Sequence, residues 1–316
     1  MKKWAIAVVV LSTFLLGCAQ TISSVPSSEP SSEQLIRESY VSVADNAKRE
    51  YFVYLPQGYA DDANKHWPVL MFLHGNGERG NGLDELDFVK THGALYEAWV
   101  QKKPLPFIII APQLHMFGMD QKGIGYIDNR DIANVPQRQV QGTPAREALY
   151  GSDQAMSGSP QAQTLGSIPP DGWERVEQDL LGMLDTVQQN YRGDVNRTYL
   201  SGLSYGGFGT WSLASHNPQK FAAIAPVVGW GHPDLMDSIA QHKLPVWAFA
   251  GGRDNSVKVE YFYQGLNKLE QLGHKVRFTT HEDMGHDTWK RVYASDDLYH
   301  WLLSHQLSDR LATTDE

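Results

Sequence analysis

One serine of this chain stands between glycines in the segment Gly202-Leu203-Ser204-Tyr205-Gly206, which fits the pattern G-x-S-x-G. In this pattern a strand turns sharply into a helix and lifts the serine hydroxyl clear of the backbone, and bulky flanking residues would clash. The neighbouring sequence fits as well, because residues 198–201 are typical of a strand and residues 207–216 of a helix. We therefore predict that Ser204 is a nucleophile.

A serine hydroxyl needs a base to take its proton and an acid to orient that base. With a G-x-S-x-G nucleophile the chain order is Ser, then Asp or Glu, then His. His286 lies in a glycine-containing loop after the last predicted strand, where the base is expected, and His281 at the end of that strand is the second candidate. His300 and His305 fall in a helical pattern, which favours a surface or packing role. We predict that His286 is the base.

The acid is predicted from its position after a strand. Asp254 follows the apolar run 246–250 through a Gly-Gly-Arg turn, and a carboxylate on such a loop can reach the edge of the sheet where strands end. Asp283 and Asp287 are too close in sequence to His286 to orient its ring easily. Asp254 is therefore the predicted acid.

An acyl-transfer site also needs hydrogen-bond donors for the oxyanion, each worth about 3–4 kcal/mol. The backbone N–H of Tyr205, next to the nucleophile, is the first expected donor, and the turn after an early strand supplies the second, through Asn76 or Gly75. We expect His74 to hold this turn. A phosphate cradle is excluded here, because no Gly-Lys-Ser/Thr follows.

The elements that position these residues alternate between strand and helix. Short apolar runs predict strands at 51–55, 69–73, 107–111, 198–201, 222–228 and 246–250, and an alternating run predicts one at 276–280. Helical spacing is clearest over 174–191 and is plausible over 207–216, 258–272 and 294–306. This alternation predicts an α/β class with a mostly parallel, doubly wound sheet and helices on both faces.

Residues 113–172 interrupt this alternation as an irregular insertion rich in Gly, Pro, Gln and Ser. A long irregular stretch in a compact domain is usually functional or disordered, and two readings stay open: a roof over the active site or a surface excursion. Four tryptophans near the motif segments, Trp173, Trp211, Trp230 and Trp289, could line an aromatic pocket, although large aromatics more often belong to the core.

The N-terminus has the pattern of a targeting segment. A short basic stretch precedes an apolar run from Trp4 to Leu16, which is short for a membrane span and suits a signal peptide. The run ends in Leu15-Leu16-Gly17-Cys18, which resembles the lipobox of bacterial lipoproteins. We predict a signal peptide over 1–17 and a lipid on Cys18, with a plain secretory signal as the alternative.

The predicted domain organisation follows from composition. Residues 18–38 comprise the lipidated cysteine and a Ser/Pro-rich flexible linker, residues 39–308 the folded domain, and residues 309–316 a C-terminal tail. Localisation is then the cell envelope, anchored by lipid, with the outer membrane favoured because Ala19 rather than Asp follows the cysteine. Which face of that membrane the domain occupies stays open.

Charge and cysteine content exclude several classes. The formal net charge is −9 and no block of basic residues occurs, which argues against a nucleic-acid partner. The single cysteine rules out an internal disulfide. No His-x-x-x-His pair with a third ligand stands out, so we expect neither a metal nor a cofactor.

The motifs in order resemble the α/β-hydrolase family of secreted esterases and "predicted peptidases", related to polyhydroxybutyrate depolymerase-type and feruloyl-esterase-type enzymes. The resemblance covers about residues 39–305 and is carried by 51–59 (YFVYLPQGY), 73–80 (LHGNGERG), 110–113 (IAPQ), 197–207 (RTYLSGLSYGG), 221–226 (FAAIAP) and 252–254 (GRD). It implies an α/β-hydrolase fold with Ser204, Asp254 and His286 as the triad. It departs from the family at 113–172, which is longer than the usual connection.

The leading hypothesis is a carboxylic-ester hydrolase acting on a small-molecule or polymer ester through an acyl-enzyme. A serine peptidase of the prolyl-oligopeptidase type would use identical chemistry on an amide, but no propeller-like repeat precedes the domain to gate peptides. A non-catalytic envelope binding protein is the third hypothesis, and the complete Ser/Asp/His set argues against it.

Overall fold

A computed structural model describes residue 1, residues 29–146, residue 152 and residues 172–312. Residues 2–17 of the predicted signal peptide and Cys18 lie outside these residues, as do 147–151 and 153–171 of the predicted insertion. The chain divides into two compact units, Met1–Pro30 and Ser31–Glu316, and the strands and helices belong to the second. Among the described residues no helix has the length and apolar character needed to cross a membrane.

Eight strands form one sheet. They are β1 (Gln34–Val41), β2 (Lys48–Leu55), β3 (Trp67–Leu73), β4 (Ile108–Ala111), β5 (Gly193–Leu203), β6 (Ala223–Val227), β7 (Trp247–Gly251) and β8 (Arg277–His281). Their order across the sheet is β1-β2-β4-β3-β5-β6-β7-β8. β1 and β2 pair antiparallel, β2 is antiparallel to β4, and every later pairing is parallel. This is the α/β-hydrolase fold.

Helices cover both faces of the sheet. The α-helices are α1 (Gly93–Leu95), α2 (Gly125–Asp128), α3 (Glu177–Asn190), α4 (Tyr205–His216), α5 (Met236–Gln241), α6 (Phe262–Gln271), α7 (Trp289–Ala294), α8 (Asp297–Leu303) and α9 (Leu307–Ala312). A π-helical turn, Tyr96–Val100, extends α1.

Alternating side chains of the central strands divide the core in two. On β3, Val69 and Met71 pack in the cluster that contains α3, α4 and α5, whereas Leu70 and Phe72 pack in the cluster that contains α1, α7 and α8. Strands covered on both faces read as unbroken apolar runs, which is why the sequence predicts them well. The fold class predicted from the sequence is confirmed, with helices on both faces.

Two predicted boundaries are wrong. β1 begins at Gln34, inside the predicted linker 18–38, so the folded domain starts before residue 39. At the other end α9 spans the predicted boundary between 308 and 309, and the buried Arg310 donates to the carbonyl oxygen of Pro218 (2.6 Å). Residues 309–312 therefore belong to the domain rather than to a tail. β1 is only partly buried and α9 is short. Neither therefore has the long apolar run from which an element can be predicted.

The predicted helix over 294–306 is also wrong in its extent. The structure has two helices there, α7 and α8, because Ser295 adopts an extended conformation between them.

The described part of the insertion, 113–146, contains short helical turns at Met119–Gln121, Gly125–Asp128 and Ile132–Asn134.

Candidate active site

Ser204 occupies the turn between β5 and α4 with φ +51° and ψ −113°, in the half of conformational space that L-residues rarely adopt. Such strain costs about 1–3 kcal/mol and persists only where the surroundings impose it. The surroundings are backbone: a Cβ on Gly206 would lie 2.0 Å from the carbonyl oxygen of Leu73, and one on Gly202 would lie 2.3 Å from that of Gly206. The flanking glycines are therefore required by the close approach of β3 to this turn.

The three predicted catalytic side chains form one hydrogen-bonded chain. Ser204 Oγ lies 2.9 Å from His286 Nε2, and His286 Nδ1 lies 2.7 Å from Asp254 Oδ2. A carboxylate only accepts, so the proton on the ring belongs at Nδ1, and Nε2 is left to accept from the serine hydroxyl. The arrangement leaves His286 ready to take the Ser204 proton.

Asp254 is fully buried at the end of β7. Its Oδ1 accepts from the backbone N–H groups of Ser256 and Val257, both at 2.8 Å, while Oδ2 faces His286. The two backbone donors fix the carboxylate plane and compensate the burial of its charge. This loop therefore presents one oxygen, in one orientation, to the imidazole.

His286 begins a short helical turn after β8, and its ring meets Trp289 edge-on at 5.1 Å between centroids.

The other candidates for the base and the acid contact other residues. Asp283 binds Arg291 through two hydrogen bonds of 2.7 Å, and Asp287 pairs with Lys290 at 3.3 Å. His281 lies against Phe249, with stacked rings 6.4 Å apart.

The predicted oxyanion donors come from two loops that meet at Ser204. Tyr205 opens α4, so its N–H belongs to the helix N-terminus, where the dipole favours negative charge. Gly75 and Asn76 begin a short helical turn after β3 and line the same cavity as Ser204. The Asn76 side chain donates to the Tyr126 hydroxyl (2.8 Å).

His74 holds this loop, as expected. Its Nε2 accepts from the N–H of Leu114 (2.8 Å), which places the ring proton on Nδ1, and Nδ1 donates to the carbonyl oxygen of Gly75 (2.6 Å). Burial lowers the pKa of His74 to about 3, so the ring is neutral and makes no ion pair with Glu78 at 3.9 Å. The loop after β3 is thus joined by hydrogen bonds to the segment that follows β4.

Glu78 is a buried carboxyl group that the sequence did not single out. It lines the cavity of Ser204, its Oε2 has no hydrogen-bond partner among the described residues, and burial raises its pKa to about 7. His92 Nε2 lies 3.8 Å from its other oxygen, and the positive charge of Arg130 lowers the pKa by a smaller amount.

The cavity that contains Ser204, hereafter the Ser204 cavity, has a volume of about 620 Å³. Its aromatic walls are Phe88, Tyr126, Tyr205 and Trp289, and Tyr126 and Arg130 come from the insertion.

Of the four tryptophans considered from the sequence, only Trp289 lines the Ser204 cavity. Trp173 and Trp211 are core residues, and Trp230 packs against Phe208.

Tyr126, Arg130 and Arg79 are site residues that sequence reasoning missed. Arg130 Nη1 donates to the carbonyl oxygen of Gly77 (2.9 Å) and also to that of Arg79, which binds the insertion to the loop after β3. The described part of the insertion therefore contributes a wall of the Ser204 cavity. The aperiodic sequence of the insertion does not predict this wall, whereas Arg79 lies in 73–80, one of the segments that carry the family resemblance.

No group of three or more His, Cys, Asp or Glu side chains able to hold a metal ion occurs within the described ranges.

Comparison with known proteins agrees with this class of fold. The family model described as Dienelactone hydrolase family matches residues 145–295, a segment that contains Ser204, Asp254 and His286. The Escherichia coli (strain K12) protein named "Putative carboxymethylenebutenolidase" is 31% identical over 105 residues. That match covers 30% of this chain and 37% of the relative, so the chain spans little more than a third of that relative's length.

Solved structures share the fold over most of the chain. A thermostable esterase has a TM-score of 0.59 and 22% identity, covering 86% of this chain and 63% of its own. The S-formylglutathione hydrolase of Staphylococcus aureus has a TM-score of 0.53 and 16% identity, covering 86% of this chain and 97% of its own. The finer resemblance to depolymerase-type and feruloyl-esterase-type enzymes stays a prediction.

Proposed function

We propose that this chain is a serine hydrolase that cleaves a carboxylic ester through an acyl-enzyme. The observation that carries the proposal is the hydrogen-bonded chain from Asp254 through His286 to Ser204, which ends on a strained turn that opens into a cavity. The match of residues 145–295 to the Dienelactone hydrolase family supports an ester substrate, because a dienelactone is a cyclic ester.

In the first half of the reaction Ser204 Oγ attacks the carbonyl carbon while His286 Nε2 takes the hydroxyl proton. Asp254 stabilises the resulting imidazolium and keeps its ring in place. The tetrahedral intermediate collapses when His286 gives this proton to the oxygen of the departing alcohol. A water molecule then attacks the acyl-enzyme carbonyl carbon while His286 takes its proton. That proton passes to Ser204 Oγ as the bond between the carbonyl carbon and Oγ breaks, and the acid leaves.

The negative charge that develops on the carbonyl oxygen is met by two backbone donors. Tyr205 supplies one from the N-terminus of α4. Asn76 or Gly75, which both line the Ser204 cavity on the loop after β3, supplies the other. Such donors act without reorganisation, which is why they contribute strongly to the rate.

The test is hydrolysis of p-nitrophenyl acetate by the domain from residue 31 onward, with Ser204→Ala and the control Ser212→Ala, which alters a serine of α4 away from the cavity. We expect turnover and fluorophosphonate labelling in the wild type and the control, and neither in Ser204→Ala. Turnover of a matched p-nitroanilide but not of the ester would favour the peptidase hypothesis. Absence of both turnover and labelling would favour a binding protein.

The partner implied by the N-terminus is a membrane, and we propose that Cys18 carries the lipid that anchors the domain in the cell envelope. The basis is the sequence Leu15-Leu16-Gly17-Cys18 after a basic start and an apolar run. We expect metabolic incorporation of an alkyne fatty acid into the full chain and none into Cys18→Ser. Recovery of the labelled chain with inner-membrane rather than outer-membrane fractions would contradict the outer-membrane assignment.

A further inference from the structure

A second compartment adjoins the Ser204 cavity. It has a volume of about 350 Å³ and is lined by Tyr96, Asn134, Pro144, Ala145, Trp289 and Tyr293, among others. The two cavities share Thr91, His92 and Trp289 as lining residues, so these side chains form the boundary between them. A substrate that fills the Ser204 cavity therefore has further volume immediately beyond this boundary.

One wall of the second compartment comes from the insertion, which is bound to the segment that follows α1. Arg146 makes a two-fold contact with the buried carboxylate of Glu97, with Nη1 to Oε1 at 2.7 Å. Gln101 donates to the carbonyl oxygen of Pro144 (3.1 Å), and Lys102 donates to that of Val140 (3.1 Å). These contacts join the insertion to residues 97–102 at fixed points, and the second compartment lies between the two segments.

The lining of the second compartment is suited to an apolar group. Tyr96, Trp289 and Tyr293 present aromatic rings, and Pro144 and Ala145 add aliphatic surface. Its strongest charges are already paired, because Arg146 binds Glu97 and Lys290 binds Asp287. An ionic group would therefore find its counter-charge occupied, whereas an alkyl or aryl group would gain from burial.

The position of the catalytic base separates the two sides of the ester. His286 protonates the departing oxygen, so the alcohol leaves beside its ring. A polar cleft of about 280 Å³ borders that ring and is lined by Asn255, Ser256, Gly285 and Asp287. The second compartment meets the Ser204 cavity at Thr91, His92 and Trp289. Trp289 also lines the polar cleft, whereas Thr91 and His92 do not, so these two residues mark the side of the Ser204 cavity away from the cleft.

From this arrangement we infer that the second compartment binds the distal part of the acyl group, so that the substrates are esters of extended apolar acids. This inference rests on the proposed function. A short acyl group occupies the Ser204 cavity alone, whereas a longer chain or ring system crosses the boundary at Thr91, His92 and Trp289 and reaches the wall provided by the insertion.

The experiment compares kcat/KM for p-nitrophenyl acetate, butyrate, octanoate and dodecanoate, all with the same leaving group. Ala145→Trp narrows the second compartment, and Ala133→Trp is the matched control, an exposed alanine of the same insertion that does not line it. We expect the wild type and the control to prefer the long acyl groups. In Ala145→Trp the ratio of dodecanoate to acetate should fall by about tenfold or more, as when roughly two methylene groups lose their burial.

A second measurement does not depend on any variant. Free octanoate and dodecanoate should inhibit acetate hydrolysis by the wild type competitively, with the longer acid binding tighter. Turnover of acetate with no preference for longer acyl groups, or an unchanged ratio in a folded Ala145→Trp, would overturn the inference and leave the proposed function intact. Absence of turnover for every ester would overturn both.

Discussion

The guanidinium group of Arg79 lies over the ring of Tyr205, with its central carbon 4.5 Å from the ring centroid. The same side chain donates from Nε to the Asn76 side-chain oxygen (2.6 Å) and from Nη1 to the carbonyl oxygen of His115 (2.8 Å). Arg79 is almost completely buried, and burial lowers its pKa without making it neutral at any ordinary pH. One side chain therefore contacts Tyr205 and Asn76, two of the residues proposed as oxyanion donors.

Replacement of Arg79 should impair the chemical step more than substrate binding. Arg79→Lys keeps the positive charge but loses the planar contacts to Tyr205 and Asn76. Arg79→Met loses the charge as well as these contacts. Because a displacement of about 1 Å in a catalytic group can cost about a hundredfold in rate, we expect kcat to fall tenfold to a hundredfold in both variants. KM for p-nitrophenyl acetate should change by less than about threefold.

The matched control for these variants is Arg175→Met, because Arg175 also stacks on an aromatic ring, that of Phe117, but lies outside the Ser204 cavity. Its kinetics should equal those of the wild type. If the Arg79 variants instead raise KM and leave kcat unchanged, Arg79 contributes to ground-state binding and does not position the oxyanion donors.

Three of the site residues could be predicted from the sequence because their signals are local or topological. Ser204 lies in a short motif whose glycines are needed by the turn itself. Asp254 and His286 follow strands of a parallel sheet, and the carboxyl ends of such strands converge on one edge. The predicted strands 69–73 and 246–250 were found because they are apolar on both faces.

The remaining features depend on contacts between distant segments. Tyr126 and Arg130 belong to an aperiodic stretch, and nothing in it indicates that one would accept from Asn76 and the other would donate to the loop after β3. β1 lacks a continuous apolar run, because as an edge strand it buries only part of its surface. Its backbone pairing with β2 defines it, and such pairing leaves no pattern in side chains.

Ionisation of Glu78 should limit both stability and activity at alkaline pH. Burial raises its pKa from an ordinary value of 4.5 to about 7, so the folded state binds the proton more tightly than the unfolded state. The contribution of the protonated Glu78 to the free energy of unfolding is fully present below pH 4.5 and is lost as the pH rises towards 7. Above pH 7 the buried carboxylate costs about 3 kcal/mol relative to the unfolded chain, at about 1.4 kcal/mol for each pKa unit.

Glu78→Gln removes this cost, because the amide is close in shape to the protonated acid and does not ionise. We expect the free energy of unfolding to rise by up to about 3 kcal/mol at alkaline pH and to change little at acidic pH. The rate of ester hydrolysis should decline above pH 7 in the wild type, since an anion in the Ser204 cavity opposes the oxyanion, and the decline should be absent in Glu78→Gln. Glu270→Gln on the exposed face of α6 is the control, and identical pH profiles for all three proteins would contradict the argument.

Two glycine-to-alanine variants should change stability in opposite directions. At Gly202 an added Cβ would lie 2.3 Å from the carbonyl oxygen of Gly206 and 2.8 Å from that of Leu73, and backbone on two sides cannot move away easily. We expect Gly202→Ala to lower the free energy of unfolding by about 1–3 kcal/mol and to displace Ser204 enough to reduce kcat about a hundredfold.

At Gly182, inside α3, an added Cβ meets no atom within 4 Å, so alanine should only stabilise the helix. The expected gain is about 0.5–1 kcal/mol, from higher helix propensity and a less flexible unfolded chain, with kcat unchanged. Urea denaturation of both variants beside the wild type measures the two effects on one scale. A Gly202→Ala protein with wild-type stability and activity would show that β3 and the nucleophile turn can separate, and that the glycine there is not required by their close approach.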